Sequence, residues 1–140
     1  EISGSAPAAK AFDFTGEVAI VTGAGSRMSG LHPPQSAAHY VYSHYLVCSK
    51  QFRVGEIGNG RATAILLARH GAKVALVDLH VEWAAETKQM IDSFSGISEV
   101  VQADVTDEQS CKQAVARTVD LFGSVSVLVN IGLFFTPYNY

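Results

Sequence analysis

The chain has 140 residues, 48% of them hydrophobic and 16% charged, which suits one globular domain with a core of its own. Ten basic against thirteen acidic residues leave a net charge of -3, so no overall basic field points to nucleic acid or to an anionic membrane. The longest apolar stretches, such as Ala64-Ile65-Leu66-Leu67-Ala68, fall far short of the roughly 20 residues that a spanning helix needs.

Residues 1–11 hold no apolar core of a signal peptide and read as a flexible tail. A first β-branched run, 17–21, has strand length and is followed by the glycine turn Thr22-Gly23-Ala24-Gly25-Ser26. Such a turn lets backbone approach a pyrophosphate, which a following helix N-terminus holds with its free N–H groups. Here no helix pattern follows directly. Residues 27–57 intervene, with His32, His39, His44, Tyr40, Tyr42, Tyr45, Pro33 and Pro34 crowded together. Strand-to-helix loops usually run about 2–6 residues, so this segment reads as an insertion, of the kind a retained intron leaves. Its histidines and Cys48 match no established zinc spacing, and no metal site is expected.

A helical pattern then covers 60–70, with Ala64, Ile65, Leu67 and Ala68 on closely spaced turns and Gly71 suited to a left-handed stop. A second strand is expected at 73–77. Residues 81–94 place Trp83, Thr87, Met90, Ile91 and Phe94 on one face of a second helix. A third strand is expected at 99–102. The third helix opens on Thr106-Asp107-Glu108-Gln109, a capping-box pattern, carries its stripe on Cys111, Ala114, Val115, Thr118 and Phe122, and ends at Gly123. A fourth apolar run lies at 125–129, and 133–140 is a divergent tail. Strands alternating with helices give an α/β fold with a parallel sheet, doubly wound or of another topology such as a flavodoxin-like one. Two cysteines, Cys48 and Cys111, make no disulfide framework, so a reducing, cytoplasmic setting is expected.

Joining Ser26 to Gly58 gives Thr-Gly-Ala-Gly-Ser-Gly-Asn-Gly-Arg-Ala, a glycine turn between a strand and a helix, with Asp78 closing the second strand. With Ala103-Asp104-Val105 after the third strand and Val129-Asn130 ending the fourth, the sequence resembles the short-chain dehydrogenase/reductase family over about residues 12–26 and 58–132. The resemblance implies a partial Rossmann domain at 12–132, with about four strands in the order 3-2-1-4. It also implies a nicotinamide dinucleotide and hydride transfer on an alcohol or carbonyl substrate. By position, Gly23, Gly25, Ser26, Gly58, Asn59 and Gly60 would form the pyrophosphate turn. Asp78 would accept hydrogen bonds from the adenosine ribose, and its charge favours NAD over NADP. Asp104 and Val105 would contact adenine, and Asn130 would line the cofactor; Asn130-Ile131-Gly132 departs from the family's Asn-Asn-Ala-Gly, which puts Gly132 outside that role.

The family's chemistry needs a Ser, and a Tyr-x-x-x-Lys in which Lys lowers the phenol's pKa. No Tyr-x-x-x-Lys occurs here. The chain as written is therefore expected to bind a dinucleotide poorly and to be inactive. The rival expectation is a non-catalytic Rossmann-like binding or regulatory protein, self-associating or pairing with a relative through an open apolar strand edge.

Overall fold

The computed structural model describes residues 12–26 and 57–132. Its elements are β1 (Val18–Thr22), α1 (Asn59–Arg69), β2 (Lys73–Asp78), α2 (Val81–Asp92), β3 (Ile97–Gln102), α3 (Glu108–Phe122) and β4 (Val127–Asn130). The four strands form one sheet in the order β3-β2-β1-β4, every pair parallel. This is the doubly wound α/β plan with the 3-2-1-4 order that the sequence implies.

Side chains alternate across a strand, so a central strand serves two cores. Ala19 and Val21 of β1 and Val74 and Leu76 of β2 face α1 and α2, where Ala64, Leu67, Ala84 and Ile91 close against them. Ile20, Ala75 and Val77 face the other way and meet Val101, Ala103 and Ala114, with Leu121 and Phe122 of α3 alongside. The near-continuous apolar text of β1 and β2 follows from this double coverage. Burying a side chain such as Leu76 or Ile91 contributes about 1.5–3 kcal/mol, so these two layers dominate the stability.

Helix ends follow local chemistry, with some departures from expectation. Gly71, just past α1, has φ +95°, and Gly123 caps α3 in the left-handed conformation, as the sequence suggests. At the start of α3 the cap is Asp107, not Thr106: the Asp107 carboxylate accepts from Ser110 N at 2.8 Å. Thr106 turns back to Asp104 instead. On α2 the inward face is Ala84, Thr87 and Ile91, while Trp83 lies 38% exposed with its ring 4.2 Å from that of His80. Val115 of the expected α3 stripe is also exposed. Both residues stand one position along the helix from a buried alanine, Ala84 and Ala114, and so lie off the core-facing side. β4 alternates between half-buried and exposed residues, since it pairs with β1 on one side alone among the described residues. The tails at 1–11 and 133–140 lie outside the described residues, as does the insertion apart from Ile57. No helix among the described residues is long and apolar enough to cross a membrane.

Candidate functional site

Because all four strands run the same way, their carboxyl ends line one edge. Register pairs Thr22 with Val77 and with Asn130, and Asp78 with Gln102, so the segments that follow these strands emerge side by side. From β1 the chain passes to β2 on one side, while β4 flanks β1 on the other. The crevice beyond such a reversal is where open α/β sheets take ligands.

The glycine turn follows β1 at that edge. Gly58 is 32 positions from Ser26 in sequence, yet its N–H donates to the Ser26 carbonyl at 3.0 Å, and Ser26 N donates to the Gly23 carbonyl at 3.0 Å. The turn is thereby laid directly on the start of α1. Two of its glycines show how close this packing is. Gly23 has φ +67°, a conformation L side chains rarely adopt, and packs against Gly132, whose N would lie 3.1 Å from a Cβ at Gly23. Gly60 packs so closely on the Gly23 carbonyl that a Cβ there would overlap its oxygen. Gly132 thus shapes the turn from the β4 side, a part the altered Asn130-Ile131-Gly132 text did not suggest.

Each remaining predicted residue stands at the same edge. The Asp78 carboxylate accepts from Gly25 N at 2.9 Å and from His80 N at 3.0 Å, which ties the end of β2 to the turn. The Asp78 carbonyl accepts from Ala103 N at 3.1 Å, drawing in the segment that carries Asp104 and Val105. The Asp104 carboxylate accepts from the Thr106 hydroxyl at 2.6 Å and from Thr106 N at 2.9 Å. Those bonds, the hydroxyl's first, hold its carboxyl below the usual carboxylate range. Val105 is partly exposed, and its side chain would lie 3.4 Å from a Cβ at Gly132. Asn130 is exposed at the end of β4, beside Thr22, whose hydroxyl accepts from Ile131 N at 3.1 Å and Gly132 N at 3.3 Å.

The profile of a family described as enoyl-(acyl carrier protein) reductase matches residues 55–136, more than half of the chain. The chain belongs to the short-chain dehydrogenase/reductase family. Among curated proteins it is 41% identical over 78 residues to an uncharacterised oxidoreductase, YhdF, of Bacillus subtilis, covering 54% of this chain and 27% of that one. It is 39% identical over 75 residues to the human 15-hydroxyprostaglandin dehydrogenase [NAD(+)], covering 52% and 28%. A crystal structure of a short-chain dehydrogenase/reductase from Burkholderia xenovorans superposes with TM-score 0.65 at 30% identity, over 91% of this chain and 40% of that one. The chain therefore spans little more than a quarter of the length of those two curated relatives.

Membership of the short-chain dehydrogenase/reductase family implies a nicotinamide dinucleotide, and the residues here fit its pyrophosphate. Among the described residues the buried Ser26 hydroxyl has no hydrogen-bond partner, and it lies next to Gly58. Gly58 caps α1 without a side-chain bond, and no acid stands in the first turn of that helix. The first N–H groups of α1 therefore keep their donor capacity, and the helix dipole adds partial positive charge. An orphaned hydroxyl beside such a helix start suits a phosphate oxygen. Sequence reasoning missed two residues that border this turn. Arg61 is 1% exposed and Thr87 fully buried, and both hydrogen-bond to it from behind. A basic residue in an amphipathic helix ordinarily reads as solvent-facing, so only its place directly after Gly60 could have drawn attention to Arg61.

Proposed function

We propose that this chain carries the cofactor-binding half of an NAD-dependent oxidoreductase that acts on an alcohol or carbonyl substrate. The observation that carries the reading is the glycine turn folded onto the start of α1 with the Asp78 carboxylate bonded to it. In this reading Gly23, Gly25, Ser26, Gly58, Asn59 and Gly60 surround the pyrophosphate, and the N-terminal N–H groups of α1 donate to it. Each Asp78 oxygen already accepts one backbone N–H and keeps a further lone pair for a ribose hydroxyl. A 2′-phosphate in that place would meet the same negative charge, which favours NAD over NADP. The relative named for NAD(+) agrees with this preference. Val105 and Leu79, both exposed at the edge, offer apolar walls for adenine, while Asp104 and Asn130 border the cofactor. The bound dinucleotide supplies the hydride acceptor or donor; this chain's residues bind and orient it. A reducing cytoplasm suits the free thiol of Cys111.

Because Tyr-x-x-x-Lys does not occur in the 140 residues, they are expected to bind cofactor weakly and not to turn over substrate by themselves. A second reading, a non-catalytic protein that pairs through its sheet edge, draws support from Leu128 of β4, which is 60% exposed. The test is titration calorimetry with NAD+ and NADP+ on the wild-type chain and on Asp78→Ala. NAD+ is expected to bind the wild type more tightly, and the substitution to narrow that preference by about tenfold. An unchanged NAD+/NADP+ ratio would remove the specificity role of Asp78. Wild-type chain that binds neither dinucleotide would leave the edge-pairing reading in its place.

A further inference from the structure

The glycine turn is pinned from its far side by groups that the cofactor reading does not use. Two consecutive peptide units are each held at both ends. In the first, the Ala24 carbonyl accepts from the Thr87 hydroxyl at 2.8 Å while Gly25 N donates to Asp78 at 2.9 Å. In the second, the Gly25 carbonyl accepts from Arg61 Nη2 at 3.2 Å while Ser26 N donates to the Gly23 carbonyl at 3.0 Å. Arg61 also donates from Nε to the Thr87 oxygen at 3.0 Å, and of the two carbonyls within reach of the hydroxyl proton Ala24, at 2.8 Å, is closer than Trp83, at 3.3 Å. The same guanidinium spans to α2 through the Trp83 carbonyl at 3.1 Å and the Glu86 carboxylate at 3.0 Å. A buried guanidinium is tolerated because every bond it makes is directional and its charge meets Glu86.

We infer that Arg61 and Thr87 are positioning residues for the cofactor, locking the Ala24–Gly25 and Gly25–Ser26 peptide planes of the turn in the orientation that receives the pyrophosphate. Glycine populates both signs of φ with similar ease, so an unpinned turn at Gly23-Ala24-Gly25 samples flipped peptides. Every such state lowers apparent affinity in proportion to its population. The clamp removes that loss before ligand arrives, and it does so from α1 and α2 without touching the dinucleotide. Lysine cannot replace Arg61, because one ammonium does not present a planar fork to Thr87, Gly25 and Glu86 together.

This inference rests on the pyrophosphate reading of the turn, and the experiment separates the two. ADP-ribose, which carries the pyrophosphate, and adenosine, which does not, are titrated into the 140-residue chain and its Thr87→Val, Thr87→Ser and Arg61→Lys variants, with binding followed by NMR. Thr87→Val is expected to weaken ADP-ribose roughly tenfold while adenosine changes by no more than about twofold. Thr87→Ser, which restores the hydroxyl, returns ADP-ribose to wild-type affinity, and Arg61→Lys follows Thr87→Val. In the unliganded variants, amide exchange at Gly25 and Ser26 quickens relative to β1; this readout also serves any variant too weakened for titration. Equal losses for both ligands, uniformly faster exchange, or a Thr87→Val variant that binds like the wild type would each overturn the clamp. A wild-type chain that binds no ADP-ribose overturns the cofactor reading itself, and the clamp with it.

Discussion

Single atoms decide the behaviour of the glycine turn. A methyl group at Gly60 would overlap the Gly23 carbonyl oxygen and come within 2.7 Å of its carbon, and neither backbone atom can yield without opening the turn. Gly60→Ala gains about 1 kcal/mol of helix propensity but sets against it roughly 1–3 kcal/mol of overpacking. The expected result is a lower Tm by thermal unfolding together with weaker dinucleotide binding. Asp104 offers a titration on the same edge. Its carboxyl is lowered chiefly by the Thr106 hydroxyl and then by Thr106 N–H. The folded chain therefore binds fewer protons than the unfolded chain between the lowered value and the ordinary carboxylate range. Stability from this pair is fully present above that range and drains away as pH falls through the folded value. Thr106→Val is expected to return the Asp104 carboxyl part of the way toward its usual value, measured by carbon-detected NMR titration, since the backbone bond remains.

At the scale of elements, the four strands and three helices were legible in the sequence because burial on both faces writes β1 and β2 as continuous apolar runs. Strand-helix alternation by itself left several topologies open, and the 3-2-1-4 order came from the family resemblance that the glycine turn, Asp78 and Asp104 carry. Local hydrogen bonding was less legible. Thr106 and Asp107 are both good caps by residue type, and the choice between them turned on Asp104, which captures the Thr106 hydroxyl and leaves Asp107 to accept from Ser110 N. Asp107→Ala is accordingly expected to cost about 1 kcal/mol in chemical denaturation, whereas Thr106→Ala leaves the α3 cap in place. Arg61 escaped the sequence for a related reason: its partners on Thr87, Glu86 and Gly25 come from a different helix and a turn, which no periodicity within α1 records.

Among the described residues the sheet has two edges of unequal character. The β3 edge strand exposes Ile97 but also carries Glu99, which lies within 3.7 Å of the Lys88 ammonium; its charge discourages another strand from adding there. The β4 strand reads Val127-Leu128-Val129-Asn130, with no charge, and Leu128 is 60% exposed. Self-association of the chain is therefore expected through β4 and not through β3. Sedimentation velocity over a concentration series tests this: the wild-type weight-average mass should rise with concentration, and Leu128→Lys should hold it near that of the monomer. Because Leu128 is already largely in water, the lysine should change the unfolding free energy by no more than about 0.5 kcal/mol, which separates an edge effect from a loss of fold. A wild-type chain that remains monomeric across the series, or a Glu99→Val variant that associates no more than the wild type, would show that the charge difference between the two edges has no bearing on assembly.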